Sequence, residues 1–99
     1  MDIFRKQTSE RVAKGYDKTI YLPVGVTIST LGVAAKIYST GVDATATVVH
    51  SSNIITGNKS VQALMKDGAD GQDYLITFTL TLSDGQIWEE ELLMEVRNV

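Results

Sequence analysis

The residues of this chain that could do chemistry fall in a few places. His50 is the only histidine and adjoins Ser51 and Ser52. Serine-type hydrolysis needs a nucleophile, an imidazole base and an orienting acid within hydrogen-bond reach. No nucleophile elbow or oxyanion glycine pattern accompanies these serines, so His50 reads as a surface-loop residue. Glu89, Glu90 and Glu91 run consecutively; on a strand, Glu89 and Glu91 share a face. Glycoside hydrolysis needs two carboxyls across a cleft with split pKa values, and a chain this short without a cleft-forming insertion offers none. Asp67, Asp70 and Asp73 recur in a glycine-containing loop. Oxygen-only clusters bind calcium, but the EF-hand order of alternate acids and a later glutamate is missing, and turn aspartates bond nearby backbone amides instead. No catalytic, cofactor-binding or metal-ligating residue is assigned.

These residues must be positioned by a β framework, and its strongest element is the stretch from Asp70 to Val99. Two long apolar/polar alternations flank Ser83-Asp84-Gly85, a β-hairpin signal. A two-residue Asp84-Gly85 turn would pair Leu82 with Ile87 and set Phe78 against Glu91. A type I turn at Ser83-Asp84 with a left-handed Gly85 bulge closes instead on Leu82 and Gln86. Leu80 then meets Trp88, Ile76 meets Leu92 and Tyr74 meets Met94. This second register collects Tyr74, Ile76, Phe78, Leu80, Trp88, Leu92, Met94 and Val96 on one face. Thr77, Thr79, Thr81, Glu89, Glu91 and Glu95 fall on the other. A one-residue slip would turn the apolar set into water. At roughly 1.5–3 kcal/mol per buried large side chain, that face contributes on the order of 10–20 kcal/mol before entropy is subtracted. Glu90 is out of pattern and is expected near an open edge, where its carboxylate reaches solvent.

The chain has 99 residues, the length of one domain with a two-layer core. It has no cysteine, hence neither disulfides nor thiolate metal sites, and its net charge is −3. A nucleic-acid binder needs clustered Lys and Arg. Here Arg5, Lys6, Arg11, Lys14 and Lys18 make the N-terminal fifth only mildly basic, and neither nucleic acid nor membrane is expected as a partner. The start lacks the apolar segment of a signal peptide, and no run approaches the ~20 apolar residues of a membrane span.

Residues 1–9 lack periodicity and are expected to form a flexible arm, with residues 10–99 forming the folded domain. Glu10–Leu22, with Val12, Tyr16, Ile20 and Leu22 in alternation, reads as one long strand or two short ones, with Gly15 as a candidate bulge, ended by Pro23. Ile28–Tyr38 reads as strand, with Val33, Ala35 and Ile37 on one face. Ala44–Val49 reads as strand, His50–Asn53 as turn, and Lys59–Lys66 as strand, with Val61, Ala63 and Met65 at period two. About seven short strands with frequent turn signals predict an all-β fold, a single immunoglobulin-like antiparallel sandwich; a small barrel is the alternative. Tyr74, just after a Gly/Asp loop, loosely echoes the tyrosine corner of such sandwiches, although the cysteine pair is missing and Trp88 lies on the last strand; an ordinary core tyrosine is the alternative.

Several motifs in series resemble one family: Lys6-Gln7, Tyr16-Asp17, Thr27-Ile28-Ser29, Gly41-Val42-Asp43-Ala44, Ile55-Thr56-Gly57, Asp70-Gly71-Gln72-Asp73-Tyr74-Leu75-Ile76, Leu82-Ser83-Asp84-Gly85-Gln86 and Met94-Glu95-Val96-Arg97. Their order over residues 6–97 is similar to the small virion proteins of tailed bacteriophages and prophages described as fibre–tail adaptor or head–tail/neck proteins. The resemblance implies an immunoglobulin-like domain without catalytic residues or cofactor, made in the bacterial host cytoplasm. It implies incorporation into the virion in many copies, with tail or neck subunits and further copies of the chain as partners. Strand edges, the N-terminal arm with Arg5, Lys6 and Arg11, and the polar face of Thr77, Thr79, Thr81, Glu89 and Glu91 are the candidate interface. A free-standing binding module for carbohydrate or protein is the alternative.

Overall fold

A computed structural model describes residues 2–99; the first residue of the expected arm lies outside the described residues. The chain runs β1 (Asp2–Lys6), β2 (Val12–Asp17), β3 (Ile28–Ile37), α1 (Thr45–Val48), β4 (Val49–Ile54), β5 (Ser60–Met65), β6 (Asp73–Leu82) and β7 (Ile87–Val96). The strands form a four-stranded sheet, β1-β7-β6-β3, and a three-stranded sheet, β2-β5-β4. Taken from β2 onward, the last six strands give the two sheets of an immunoglobulin-like sandwich, with β1 added beside the final strand.

The β6–β7 hairpin adopts the register that keeps its oily face inward. Ile76 pairs with Leu92, Tyr74 with Met94 and Leu80 with Trp88. The turn closes by Leu82 N–H to the Gln86 carbonyl at 2.8 Å and Gly85 N–H to the Leu82 carbonyl at 3.0 Å. Gly85 has φ +92°, the left-handed value that glycine takes without steric cost. Ile76, Phe78, Leu80 and Met94 are fully buried and pack with Val61, Ala63 and Met65 of the opposite sheet. Trp88 is half-buried at the margin of this core. The Tyr74 hydroxyl accepts the Ala69 N–H at 3.0 Å, tying the strand to the loop before it.

Five segments differ from expectation. The strand expected to run to Leu22 ends at Asp17, and residues 19–22 turn over the sheet end instead. Residues 2–6 are not a loose arm: they form β1, which runs parallel to β7, so the larger sheet is mixed rather than wholly antiparallel. Arg97 N–H donates to the Lys6 carbonyl at 3.0 Å, and Thr8 N–H to Asn98 Oδ1 at 3.0 Å, fastening this segment to the C-terminal end. Thr45–Val48 is a helical turn instead of a strand. There the chain crosses between sheets, and helical spacing brings Ala44 and Val48 onto one inward face; both are buried. His50–Asn53 is not a turn but part of β4, with a register shift between Val49 and Ser51. Gly15 is not a bulge, because the β2–β5 register passes through it without interruption.

Candidate functional site

The groups first considered for chemistry lie apart. His50 is exposed on β4 in the three-stranded sheet, with Nδ1 3.3 Å from Ser51 Oγ. Glu89, Glu90 and Glu91 are on β7 in the other sheet. Asp70 Oδ1 accepts the Asn98 N–H at 2.9 Å, and Asp73 Oδ1 binds Arg97 Nη2 at 2.8 Å, so both carboxylates hold the loop to the chain end. Among the described residues, no cluster of acidic or imidazole side chains is placed to hold a metal, and no helix is long and apolar enough to cross a membrane. A shallow cleft of about 340 Å³ between β1 and β2 is lined by Asp2, Phe4, Lys14, Tyr16 and Leu92, and pairs no nucleophile with a base.

What the fold does present is edge and loop surface. β1 covers β7 only from Leu92 to Val96; Ile87–Glu91 faces no strand on that side. Antiparallel ladders alternate bonded and non-bonded pairs. Counting from the bonded Leu82–Gln86 pair, the backbone groups of Ile87, Glu89 and Glu91 point away from β6 into this open edge. One of them is already used: the Tyr16 hydroxyl donates to the Glu91 carbonyl at 3.3 Å. Glu90 does sit on the open edge, but it turns inward and forms an ion pair with Lys18. The Lys18 ammonium also lies over the rings of Tyr16 and Tyr21, at 5.5 and 5.3 Å.

Beside this edge, the β2–β3 connection exposes Ile20, Tyr21 and Val24, which are 84%, 64% and 103% accessible, and Ile87 follows at 64%. This connection lies at the hairpin-turn end of the molecule, where Ser83 N–H donates to the Thr27 carbonyl at 2.8 Å. The sequence reading did not single out this apolar loop; the run Ile20-Tyr21-Leu22-Pro23-Val24, too short for a sheet and broken by proline, was its signal.

The expected interface residues divide. Arg11, Glu89 and Glu91 are exposed, while Thr77, Thr79 and Thr81 are half-buried on the outer sheet face. Arg5 is exposed and bonds Glu95 Oε1 through Nε at 2.9 Å. Lys6 is the correction. It is 2% accessible, the one charged side chain buried among the described residues, and is therefore withdrawn from any surface. Its ammonium donates to the carbonyls of Gln7 at 2.6 Å and Asp67 at 2.5 Å. Burial holds its pKa below the ordinary lysine value, against the opposing pull of Asp67 and Glu10. Its position faces inward beside Val96 because β1 is a strand. Lys6→Met leaves two carbonyls without their donor, and an unmet buried acceptor costs about 1–3 kcal/mol. Thermal melts should show that loss, together with faster amide exchange across β1.

Tyr16 offers a pH-dependent signature. Burial, with the negative charges of Asp2 and Glu90 adding to it, pushes its phenol up to about 12. The unfolded chain loses this proton near 10, so the folded state holds more protons between about 10 and 12 and loses stability as pH rises through that window. Ultraviolet titration should show one of the four tyrosines ionising well above the others, and Tyr16→Phe should remove that late step.

The fold and surface define a class: a small immunoglobulin-like sandwich that presents strand edges and loops. Residues 6–95 match the family described as podophage GP4 fiber-tail adaptor protein gp77, and the chain belongs to that family. No curated protein matches it.

Proposed function

We propose that this chain is a non-enzymatic structural protein of a podophage virion, joining tail to fibres through its strand edges and loops. The single observation that carries this reading is the family match across residues 6–95. The open edge at Ile87–Glu91 supports it, since unpaired backbone groups are templates for another chain. Its partners are then tail and fibre subunits and further copies of itself in a symmetric ring. It is made in the host cytoplasm and resides in the particle. The expected N-terminal-arm contact becomes a contact of β1, whose Ile3 and Arg5 face outward.

Deletion of the gene in a phage that carries it tests the assignment. Particles should assemble heads and tails but lack fibres, and complementation should restore fibres together with a fixed copy number of this chain. Fully fibred particles without the chain would overturn the assignment.

A further inference from the structure

We propose that the open half of β7, Ile87–Glu91, receives an extended segment of a partner protein in line with β1, and that this segment alternates basic and apolar residues. The inference rests on the structural-adaptor reading and adds the chemistry of the contact. Ile87, Glu89 and Glu91 aim their backbone groups into this edge, and the Ile87 and Glu89 groups have no partner strand there. Strand addition satisfies such groups through main-chain hydrogen bonds, while alternate side chains give specificity.

On the neighbouring half, two residues of β1 show the pattern, Arg5 outside and Phe4 inside, while Ile3 shares the outer face and Asp2 and Lys6 the inner one. On the outer face, Arg5 of β1 bonds Glu95 of β7 at 2.9 Å. On the inner face, Phe4 of β1 packs against the core. Continuing that line places outer-face residues beside Glu91 and Glu89, both exposed carboxylates, so lysine or arginine fits there. Inner-face residues fall toward the rings of Tyr16, Tyr21 and Trp88, beside the Glu90–Lys18 ion pair that already neutralises the one carboxylate on that face, so apolar side chains fit against the rings. The exposed loop Ile20, Tyr21 and Val24 extends that apolar contact past the strand.

A second copy of this chain does not suit the edge. Two-fold pairing that uses the whole Ile87–Glu91 edge is centred on Glu89 and sets that carboxylate opposite its own copy, and like charges directly opposite are destabilising. The occupant is therefore a different protein, carrying the opposite charge.

The test uses the purified chain and a capped peptide of alternating lysine and valine, with a glutamate–valine peptide as control. Hydrogen exchange at the amides of Ile87, Glu89 and Glu91 should slow with the lysine peptide only. The amides of Trp88 and Glu90, already bonded to β6, should not change. Joint Glu89→Lys and Glu91→Lys replacement should weaken the lysine peptide about tenfold and admit the glutamate peptide. Glu89→Pro removes an outward donor without touching the β6 ladder and should abolish binding of either peptide while the melting transition stays cooperative. Unchanged exchange at Ile87 and Glu89, equal binding by the charge-reversed chain, or concentration-dependent protection without peptide would each overturn the proposal. Particles that need the chain for fibres yet leave these amides unprotected would overturn strand addition and keep the adaptor role.

Discussion

Replacing Gly15 by alanine should detach β2 and cost about 3 kcal/mol or more, the upper range for overpacking. The Cβ that alanine adds would lie 2.1 Å from the Val61 carbonyl oxygen and 3.0 Å from Gln62 Cα. Both obstacles are backbone of β5, the strand that pairs with β2. No rotamer change relieves such a contact; the two strands must separate. Their separation draws Tyr16 off the Phe78 ring and opens the core from the β1–β2 side. For a domain of this size, each kcal/mol lowers Tm by about 4–8 °C, so a fall of roughly 12–24 °C is expected. Exchange measurements should find β2 and β5 amides deprotected ahead of those in β6. A variant melting within a few degrees of the parent would show that the sheet yields at this point.

Phe78→Ala should cost about 3–5 kcal/mol, the usual range for a buried phenylalanine reduced to alanine. Phe78 has no exposed surface, lies mid-strand on β6, and pairs with Val33 on one side and Glu90 on the other. Its ring meets Tyr16 edge to face, with centroids 5.2 Å apart and planes at 82°. Small domains hold about 5–15 kcal/mol in all, so this single truncation removes a large share of the total. Phe78→Leu keeps most of the volume and forfeits chiefly the aromatic contact, about 0.5–1.5 kcal/mol. Both substitutions loosen the packing that keeps water from Tyr16. The late tyrosine ionisation should therefore move back toward the ordinary value, more in the alanine variant. Chemical denaturation and ultraviolet titration together check this. A destabilised Phe78→Ala protein with its late ionisation unchanged would mean that the phenol is desolvated by other neighbours.

The legible parts of the fold are those whose contacts are local. The β6–β7 register follows from alternation around a Ser-Asp-Gly turn, because period two leaves one pairing that keeps the oily face dry. β3 and β5 were legible for the same reason. Leu75 and Leu93, which the hairpin pattern places on neither named face, lie on the outward side of the four-stranded sheet, yet they are 8% and 9% accessible. They pair with each other, and Leu93 is flanked by Ile3 of β1. Residues 2–6 carry no alternation of their own and become a strand by pairing with residues 92–96 at the far end of the chain.

The candidate interface shows the same division. Glu89, Glu91 and the threonines of β6 were placed correctly on one face, since a hairpin register settles faces for both strands. Lys6 was not: its charge marked it as surface, and a cage of backbone carbonyls holds it inside. The open edge was legible only at the out-of-pattern Glu90; which half of β7 lies bare depends on where β1 stops.

By itself, then, the amino-acid order determined a cysteine-free β-sandwich, its closing hairpin, and a series of motifs resembling a phage adaptor family. Tertiary structure alone decided that the chain's start joins its end, that Lys6 is interior, and that Ile87–Glu91 is left without a neighbouring strand. Hairpins arise from neighbours a few residues apart, whereas an edge exists only once every distant strand has taken its place.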